Sequence, residues 1–415
     1  MNGENPDGRP FWVLEDGVWL DNAPFNNDSI VISDSVIMGD VVQKIIIDDP
    51  DKIQQIIKKT LRAIGLSDGR LPDSTIRPEK GQLDNTISLA DYISNSGLNF
   101  DGWTELSLGH ACELKGDFES AESHFKKALE FAVDNNDERL QNHTELGFII
   151  LLISAERYNQ AEERTVDLLD IFTKFKDDEG ISNCRELLGL ISYSRGRYGQ
   201  SRMHHKKALE IRKSNGVKEA IISSKINLAN VAMSEGKVSE AGTILHGLDS
   251  RYISKKDEAQ LLCSKGVNEL QNDNYHEAID LLNRSLHIRK EISDRRGESE
   301  SYNYIGTAKM LYGNIEQGYT DCETAYKIAR EISNSNLMAH ALYNMGQGSI
   351  GQSNIQLGRS ELTLAVKLFQ EVGNADGIKN CKKMLQDISD NPSNLNYSFI
   401  IFSIIIGILF AILII

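Results

Sequence analysis

The chain has 415 residues, which at about 150 residues per domain is enough for two or three structural units. Its 40% hydrophobic and 25% charged residues are close to globular averages, and this excludes a chain that is disordered throughout. With 45 basic and 60 acidic residues, the net charge of −15 has the wrong sign for a protein that coats nucleic acid. We therefore expect no nucleic-acid partner.

Residues 1–65 are predicted to form a small β-rich module that ends in an amphipathic helix. Asp16-Gly17 separates two short apolar runs, which is the signal of a tight hairpin turn, and further short runs follow up to residue 47. Asp49-Pro50 then favours the start of a helix. We expect its apolar stripe to pack on the small sheet, although it could also lie on a membrane or a partner. Residues 66–98 are predicted to be a linker.

Small residues recur at a fixed spacing in the remainder of the chain. The first small sites are Gly109, Gly189, Ala229, Gly266, Gly306 and Gly346. The second small sites follow twelve positions later, at Ala121, Ser201, Ala241, Ala278, Gly318 and Gly358. Turn-forming or polar residues lie between them, at Gly116, Gly196, Gly236, Asp273, Gly313 and Ser353. A further unit fits around Ile149 and Ala161, so that successive first sites are mostly 40 residues apart. Each unit is predicted to be two helices that approach closely at the small sites, and such pairs stack into a solenoid.

The stretches LGHACELKGDFESAESHFKKALE and LLGLISYSRGRYGQSRMHHKKALEI show the spacing of Leu-Gly, Gly-x-Tyr/Phe, a small residue and Ala-Leu. This pattern resembles the tetratricopeptide repeat (TPR) family. The period of 40 resembles the longer repeats of LGN-type and kinesin-light-chain-type adaptors, and Asn135-Asn136-Asp137 and Ser214-Asn215-Gly216 stand where the family usually has proline. The resemblance implies a mainly α fold, with a TPR-type solenoid of about seven repeats over 99–372 and a capping helix over 373–390.

In this family the first helix of each pair lines a concave groove that binds protein or peptide partners. By register, the following side chains are predicted to lie in or near that groove: Asn227, Asn230, Asn303, Tyr304, Thr307, Tyr343, Asn344 and Gln347. Side-chain amides can pair with both the donor and the acceptor of an extended peptide backbone. The alternative for these residues is a merely solvated polar face. Other roles for the whole chain remain open: a self-assembling homo-oligomeric scaffold, or a regulatory subunit whose N-terminal module carries an activity.

Other motifs predict no chemistry. Gly346 to Gly351 matches the GxGxxG pattern of dinucleotide sites, but no strand precedes it and Gly346 is a small site of the repeat. His204-His205 has no suitably spaced partner for a metal, and His205 occupies an inward-packing position. The five cysteines are expected to be reduced, and those on repeat helices to behave as small buried hydrophobes. We therefore expect neither an enzyme nor a cofactor or metal site.

The segment Tyr397 to Ile415 has 19 residues and no charge. As a helix it would be about 28 Å long, close to the thickness of the hydrocarbon core of a bilayer. Residues 391–396 would then be a short linker, and Lys379, Lys382 and Lys383 would place the rest of the chain in the cytoplasm. The sequence thus predicts a single-pass, C-terminally tail-anchored TPR adaptor that binds partners in the cytoplasm.

Overall fold

The computed structural model describes residues 100–248 and 253–390, together with five short strands that precede residue 39. From residue 100 onward the described chain consists of fifteen helices joined by short turns. The helices are α1 (Gly102–Lys115), α2 (Phe118–Asp134), α3 (Glu138–Ser154), α4 (Tyr158–Phe175), α5 (Asp178–Ser194), α6 (Tyr198–Asn215), α7 (Lys218–Ser234), α8 (Val238–His246), α9 (Lys255–Gln271), α10 (Tyr275–Glu291), α11 (Arg295–Leu311), α12 (Ile315–Glu331), α13 (Ser335–Gly351), α14 (Ile355–Glu371) and α15 (Ala375–Asp390). Repeats 1 to 7 are the successive pairs from α1 and α2 to α13 and α14. The predicted mainly α solenoid is therefore confirmed.

The strands are short and antiparallel. They are β1 (Gly3–Glu4), β2 (Pro10–Val13), β3 (Trp19–Asp21), β4 (Ser29–Ile32) and β5 (Ser35–Met38). One sheet has the order β1-β2-β3, with Phe11 opposite Asp21, and a second pairs β4 with β5. The helix predicted after Asp49-Pro50 and the linker over 66–98 lie outside the described residues. The complete N-terminal β/α module therefore stays a prediction.

The chain divides into two compact units. The first comprises residues 1–147 with 290–293, and the second comprises residues 148–289 with 294–415. The first unit contains α1, α2 and the beginning of α3. The second contains the end of α3, α4 to α9, most of α10, and α11 to α15, and all eight predicted groove residues lie in it.

Left-handed backbone conformations produce the sharp turn inside each repeat. All six turn positions predicted from the sequence have positive φ, for example 101° at Gly313 and 62° at Asp273. Glycine adopts this conformation without strain, and in the other repeats a polar residue takes its place. Repeat 2 has Glu156 at the same position, with φ of 61°. The predicted turn spacing is confirmed. Among the seven turn positions of the repeats, Glu156 is the one with a large side chain.

The small sites bring the two helices of a repeat into close contact. A Cβ atom added at Gly306 would lie 2.6 Å from the carbonyl oxygen of Gly318, and one added at Gly346 would lie 3.2 Å from the carbonyl oxygen of Gly358. In repeat 3 the space beside Gly189 is taken by a side chain, because a Cβ there would lie 2.5 Å from Cε1 of His205. The first small sites are thus required for close packing.

Residue pairs of complementary size, eight positions apart, lie where one repeat follows the next and where repeat 7 is followed by the capping helix. In some pairs a large residue near the end of the second helix faces a small residue on the first helix of the following repeat. In the others the small residue comes first and the large one follows. The pairs are Ala132 with Leu140, Phe172 with Gly180, Arg212 with Ala220, Arg289 with Gly297, Ala329 with Leu337, and Phe369 with Gly377. The rings of Phe172 and Phe369 occupy the space where a Cβ of their glycine partner would lie.

We expect this size complementarity to appear as coupling between two substitutions. Gly180→Leu alone should lower the free energy of unfolding by about 1–3 kcal/mol through overpacking. Phe172→Ala alone should lower it by about 3–5 kcal/mol through a cavity. The double variant recreates the pairing of Ala132 with Leu140, so its loss should be smaller than the sum by at least about 1 kcal/mol. Urea denaturation of the four proteins measures this, and strictly additive losses would contradict the proposed contact.

The described helices contradict the predicted single-pass membrane localisation. Among residues 100–248 and 253–390, no helix is both long and apolar enough to cross a membrane. A helix of 17 residues such as α2 is about 25 Å long and exposes charged side chains such as Glu119 and Lys126. The segment 397–415, from which the anchor was predicted, lies outside the described residues.

Candidate peptide-binding surface

The eight predicted groove residues lie on three first helices. Asn227 and Asn230 are on α7, Asn303, Tyr304 and Thr307 are on α11, and Tyr343, Asn344 and Gln347 are on α13. Asn227 is half-buried, and the other seven are buried, down to 0% exposure at Gln347. The first helices of neighbouring repeats therefore pack directly on one another, and this surface is closed to solvent in the present conformation.

Two of these amides join repeats 6 and 7. Nδ2 of Asn344 donates a hydrogen bond to Oδ1 of Asn303 over 3.0 Å. The hydroxyl of Thr307 donates to the backbone carbonyl of Asn303 over 2.8 Å, one turn earlier on the same helix. The Asn303 and Asn344 side chains thus already have partners within the protein.

Other amide atoms on the surface have unused hydrogen-bonding capacity. Within the described residues, Oδ1 of Asn230 and both side-chain amide atoms of Gln347 are buried without a hydrogen bond of good geometry, although the Gln347 amide lies beside the Tyr343 hydroxyl. Such a buried polar group costs about 1–3 kcal/mol, and most native examples pair with a protein group or with ordered water. The inner surface therefore offers a donor and two acceptors that the described residues do not use.

Asn227 belongs to a buried charged cluster that the sequence did not predict. Its Nδ2 donates to Oε1 of Glu186 over 2.5 Å, and the hydroxyl of Ser224 donates to Oε2 over 3.1 Å. Nη1 of Arg212 lies 3.1 Å from Oε2, and Nδ1 of His205 lies 3.2 Å from Oε1. We call these five residues the Glu186 network. It connects α5, α6 and α7.

The charge of Glu186 is held in place by its partners. Burial alone would raise the pKa of this carboxyl, but Arg212 and His205 outweigh burial and lower it to about 2. The carboxylate is therefore ionised at neutral pH, and its hydrogen bonds order the amide of Asn227. The network is a structural junction between repeats 3 and 4.

A second arginine occupies the equivalent position in repeat 5. Arg289 is 2% exposed, and it donates to the carbonyl oxygen of Gly297, as Arg212 does to that of Ala220. Cys263 stands where repeat 3 has Glu186, and the carboxyl group comes from the following repeat. Nη1 of Arg289 lies 3.1 Å from Oε2 of Glu300, and burial raises the pKa of Glu300 to about 7. Both junctions thus place a carboxyl group beside a buried arginine, but from different repeats.

Repeat 5 interrupts the row of inner amides. At the register of Asn227 and Asn230, α9 has Ser264 and Val267. The predicted residues therefore form two groups, one on α7 and one on α11 and α13. A ligand that contacts both groups would need to pass α9, which carries no amide at these two positions.

The remaining sequence motifs have structural roles. His205 is 1% exposed and packs against Gly189, as its predicted inward position requires. Burial and the nearby Arg185 lower the pKa of His204 to about 4. Gly346 to Gly351 lies within α13, away from the start of the helix. All five cysteines are buried and free.

Comparisons with known proteins agree with the repeat architecture. Residues 106–139 match the tetratricopeptide repeat family model. The match covers most of repeat 1 and reaches the beginning of α3. A comparison with curated protein sequences gives no match.

Several solved structures have a similar fold. NprR in complex with its cognate peptide NprX is similar with a TM-score of 0.51 and 13% identity, over 71% of this chain and 90% of that chain. The Cut9–Hcn1 hetero-tetramer of APC/C gives a TM-score of 0.48 and 12% identity, over 72% of this chain and 52% of that chain, so this chain spans about half the length of that relative. A Rap protein complexed with competence and sporulation factor gives 0.46 and 10%, over 84% of this chain and 99% of that chain.

These observations define the class of the protein. Helix pairs with small residues at their crossing, left-handed turns at a fixed spacing and the match of repeat 1 together support a TPR-type α-solenoid. At these identities the structural likeness shows the fold alone.

Proposed function

We propose that the protein is a non-catalytic scaffold that binds an extended peptide segment of a protein partner along the inner surface formed by α7, α11 and α13. The unused hydrogen-bonding capacity of Gln347 carries this proposal. An amide that is fully buried without a partner is retained at a cost in stability, and this cost is repaid when a ligand supplies the missing donor and acceptor.

An extended backbone is the ligand that fits these side chains. Its alternating N–H and C=O groups match the amide of Gln347, which offers both a donor and an acceptor, and Oδ1 of Asn230, which offers an acceptor. Tyr304 and Tyr343 on the same helices supply apolar area for the side chains of such a peptide. The solenoid of NprR, which was solved with its cognate peptide, has the same fold.

The test is a substitution that changes stability and affinity in opposite directions. Gln347→Leu replaces the buried amide by an apolar group of similar size, so the free protein should be as stable as the parent or more stable. Affinity for the partner should fall about 2- to 150-fold, because one or two hydrogen bonds worth about 0.5–1.5 kcal/mol each are lost. The whole chain is used to capture the partner, and calorimetry then measures both affinities.

Gln352→Leu is the matched control, because Gln352 is exposed at the end of the same helix. It should leave the affinity unchanged. If Gln347→Leu binds the captured partner as tightly as the parent does, the inner surface is not the binding site. The exposed faces of the second helices, on which Phe175 is 72% exposed, would then be the place to look for a partner or a second copy.

A further inference from the structure

One contact in the second unit joins repeats that are not neighbours. In a solenoid each repeat normally contacts only the repeats beside it. Glu156, in the turn between α3 and α4, instead reaches the beginning of α13. Its carboxylate accepts hydrogen bonds from the backbone N–H groups of Ser335 and Asn336, over 3.1 Å and 2.6 Å. We call this contact the clasp. It joins repeat 2 to repeat 7 across 180 residues of sequence.

Further contacts lie along the same seam. Nη1 of Arg296 on α11 donates to the hydroxyl of Ser154 at the end of α3 over 3.2 Å. The turn at Gly196 in repeat 3 lies beside Asp376 on α15, since a Cβ added to Gly196 would be 2.7 Å from Oδ2. Repeats 2 and 3 therefore meet repeats 6 and 7 and the capping helix at several points.

The seam is polar and incompletely packed. A cavity of about 460 Å³ lies along it, and its lining includes Tyr158 and Arg197 on one side and Gln370 and Glu371 on the other. Interfaces between neighbouring repeats instead bury apolar side chains such as Phe172 and Phe369. Regions with few buried apolar contacts open at the lowest free-energy cost. Opening of the seam should therefore cost less free energy than separation of an interface between neighbouring repeats.

Electrostatics make the clasp a marginal contact. Burial raises the pKa of Glu156 above its ordinary value, and Glu371 adds to this, whereas the Asn336 and Ser335 N–H groups and Arg296 favour the charged form. A carboxylate at the N-terminus of a helix also interacts favourably with the helix dipole. The loss of hydration of the Glu156 carboxylate thus opposes these favourable contacts, so that opening of the clasp costs little free energy.

We propose that the Glu156 clasp holds the second unit in a closed conformation and that its release gives a partner access to the inner surface. The gating part of this statement rests on the proposed function. The side chains of Tyr343 and Gln347 lie on α13, the helix whose first residues are clasped, and they are 6% and 0% exposed. A ligand cannot reach them until the first helices move apart.

Hydroxyl-radical footprinting of the full chain tests the clasp without any partner. The probe is the oxidation rate of Tyr343 and Tyr304, which are buried, relative to Tyr312, which is 47% exposed. Glu156→Ala should raise the rates at Tyr343 and Tyr304 about tenfold, which corresponds to about 1.4 kcal/mol for a lost hydrogen bond to a charged group. Glu156→Gln keeps only one of the two acceptor oxygens and should raise the rates by several-fold, less than Glu156→Ala does.

A second variant breaks the clasp from the other side. Ser335 is the first residue of α13, where proline is well tolerated, and Ser335→Pro removes one N–H donor while Glu156 is unchanged. It should also raise the rate at Tyr343, by several-fold. Glu163→Ala, at an exposed site on α4, is the control and should change nothing.

Unchanged rates at Tyr343 in both Glu156→Ala and Ser335→Pro would overturn the proposal. If Glu156→Ala unfolds, which circular dichroism would reveal, the decision rests on Ser335→Pro. Increased oxidation of Tyr343 in the clasp variants, together with an unchanged affinity of Gln347→Leu for the captured partner, would support the clasp and contradict the proposed function. The two proposals can therefore fail separately.

Discussion

Replacement of Glu186 by Gln should lower the free energy of unfolding by about 3–5 kcal/mol. The change leaves Arg212 in a buried site without its counter-charge, and removing one partner of a buried ion pair typically costs that much. The amide keeps one acceptor oxygen in place of two, so one of the hydrogen bonds from Ser224 and Asn227 is lost together with the charge, while the shape of the side chain is retained. Urea denaturation at pH 7 is the measurement.

Two control variants separate charge from packing. Glu163→Gln removes the same charge from an exposed site and should cost less than about 0.5 kcal/mol. Glu186→Leu combined with Arg212→Met replaces the pair by apolar side chains and should recover much of the loss, because buried pairs are often no better than well-packed hydrophobic residues. A double variant as unstable as Glu186→Gln would contradict this explanation.

The same network predicts an acid limit to stability. The pKa of Glu186 is lowered in the folded state to about 2, below its ordinary value of 4.5. The contribution of the Glu186 carboxylate to the free energy of unfolding is therefore fully present above about pH 4.5, and it is lost as the pH falls towards 2. The stability difference between the parent and Glu186→Gln should narrow over that range, and a constant difference would show that the carboxylate is not ionised in the folded protein.

The repeat itself could be predicted because its determinants are local. Gly306 and Gly318 lie twelve residues apart on helices of one repeat, and Gly313 between them makes the turn. Steric contact and backbone conformation at such positions depend on the nearest neighbours alone. Spacing in the sequence was therefore sufficient to place them.

The Glu186 network could not be predicted in the same way. Its members lie 19, 26, 38 and 41 residues from Glu186, and the other repeats do not share this set of residue types. A signal was present, since His205 and Arg212 are polar at positions where other repeats have Phe125 and Phe172. Polar residues at two such core positions of one repeat indicate a buried partner of opposite charge.

The clasp and the burial of the inner surface depend on the curvature of the solenoid. A small rotation at each repeat interface accumulates along a solenoid, and its sum decides whether repeat 2 meets repeat 7. The repeat pattern does not encode that rotation. The positions of Asn303, Asn344 and Gln347 on first helices followed from register, but their burial did not, because it results from the packing of neighbouring first helices on one another.

The second large effect is expected where two helices approach most closely. Gly318→Leu should lower the free energy of unfolding by about 3 kcal/mol, at the upper end of the range for overpacking. A Cβ added at Gly318 overlaps the carbonyl oxygen of Gly306 and lies 2.9 Å from the backbone nitrogen of Met310. Backbone atoms cannot turn away as a side chain can, so α11 and α12 would have to move apart.

Gly199→Leu is the matched control, because Gly199 also lies in a helix, α6, but a Cβ there meets nothing within 4 Å. Leucine has a better helix propensity than glycine, so this variant should be more stable than the parent by about 0.5–1 kcal/mol. The same substitution would then have opposite signs at two helical glycines, which propensity alone cannot produce. If Gly318→Leu melts at the temperature of the parent, the close contact between α11 and α12 does not exist and the register of the repeats is wrong.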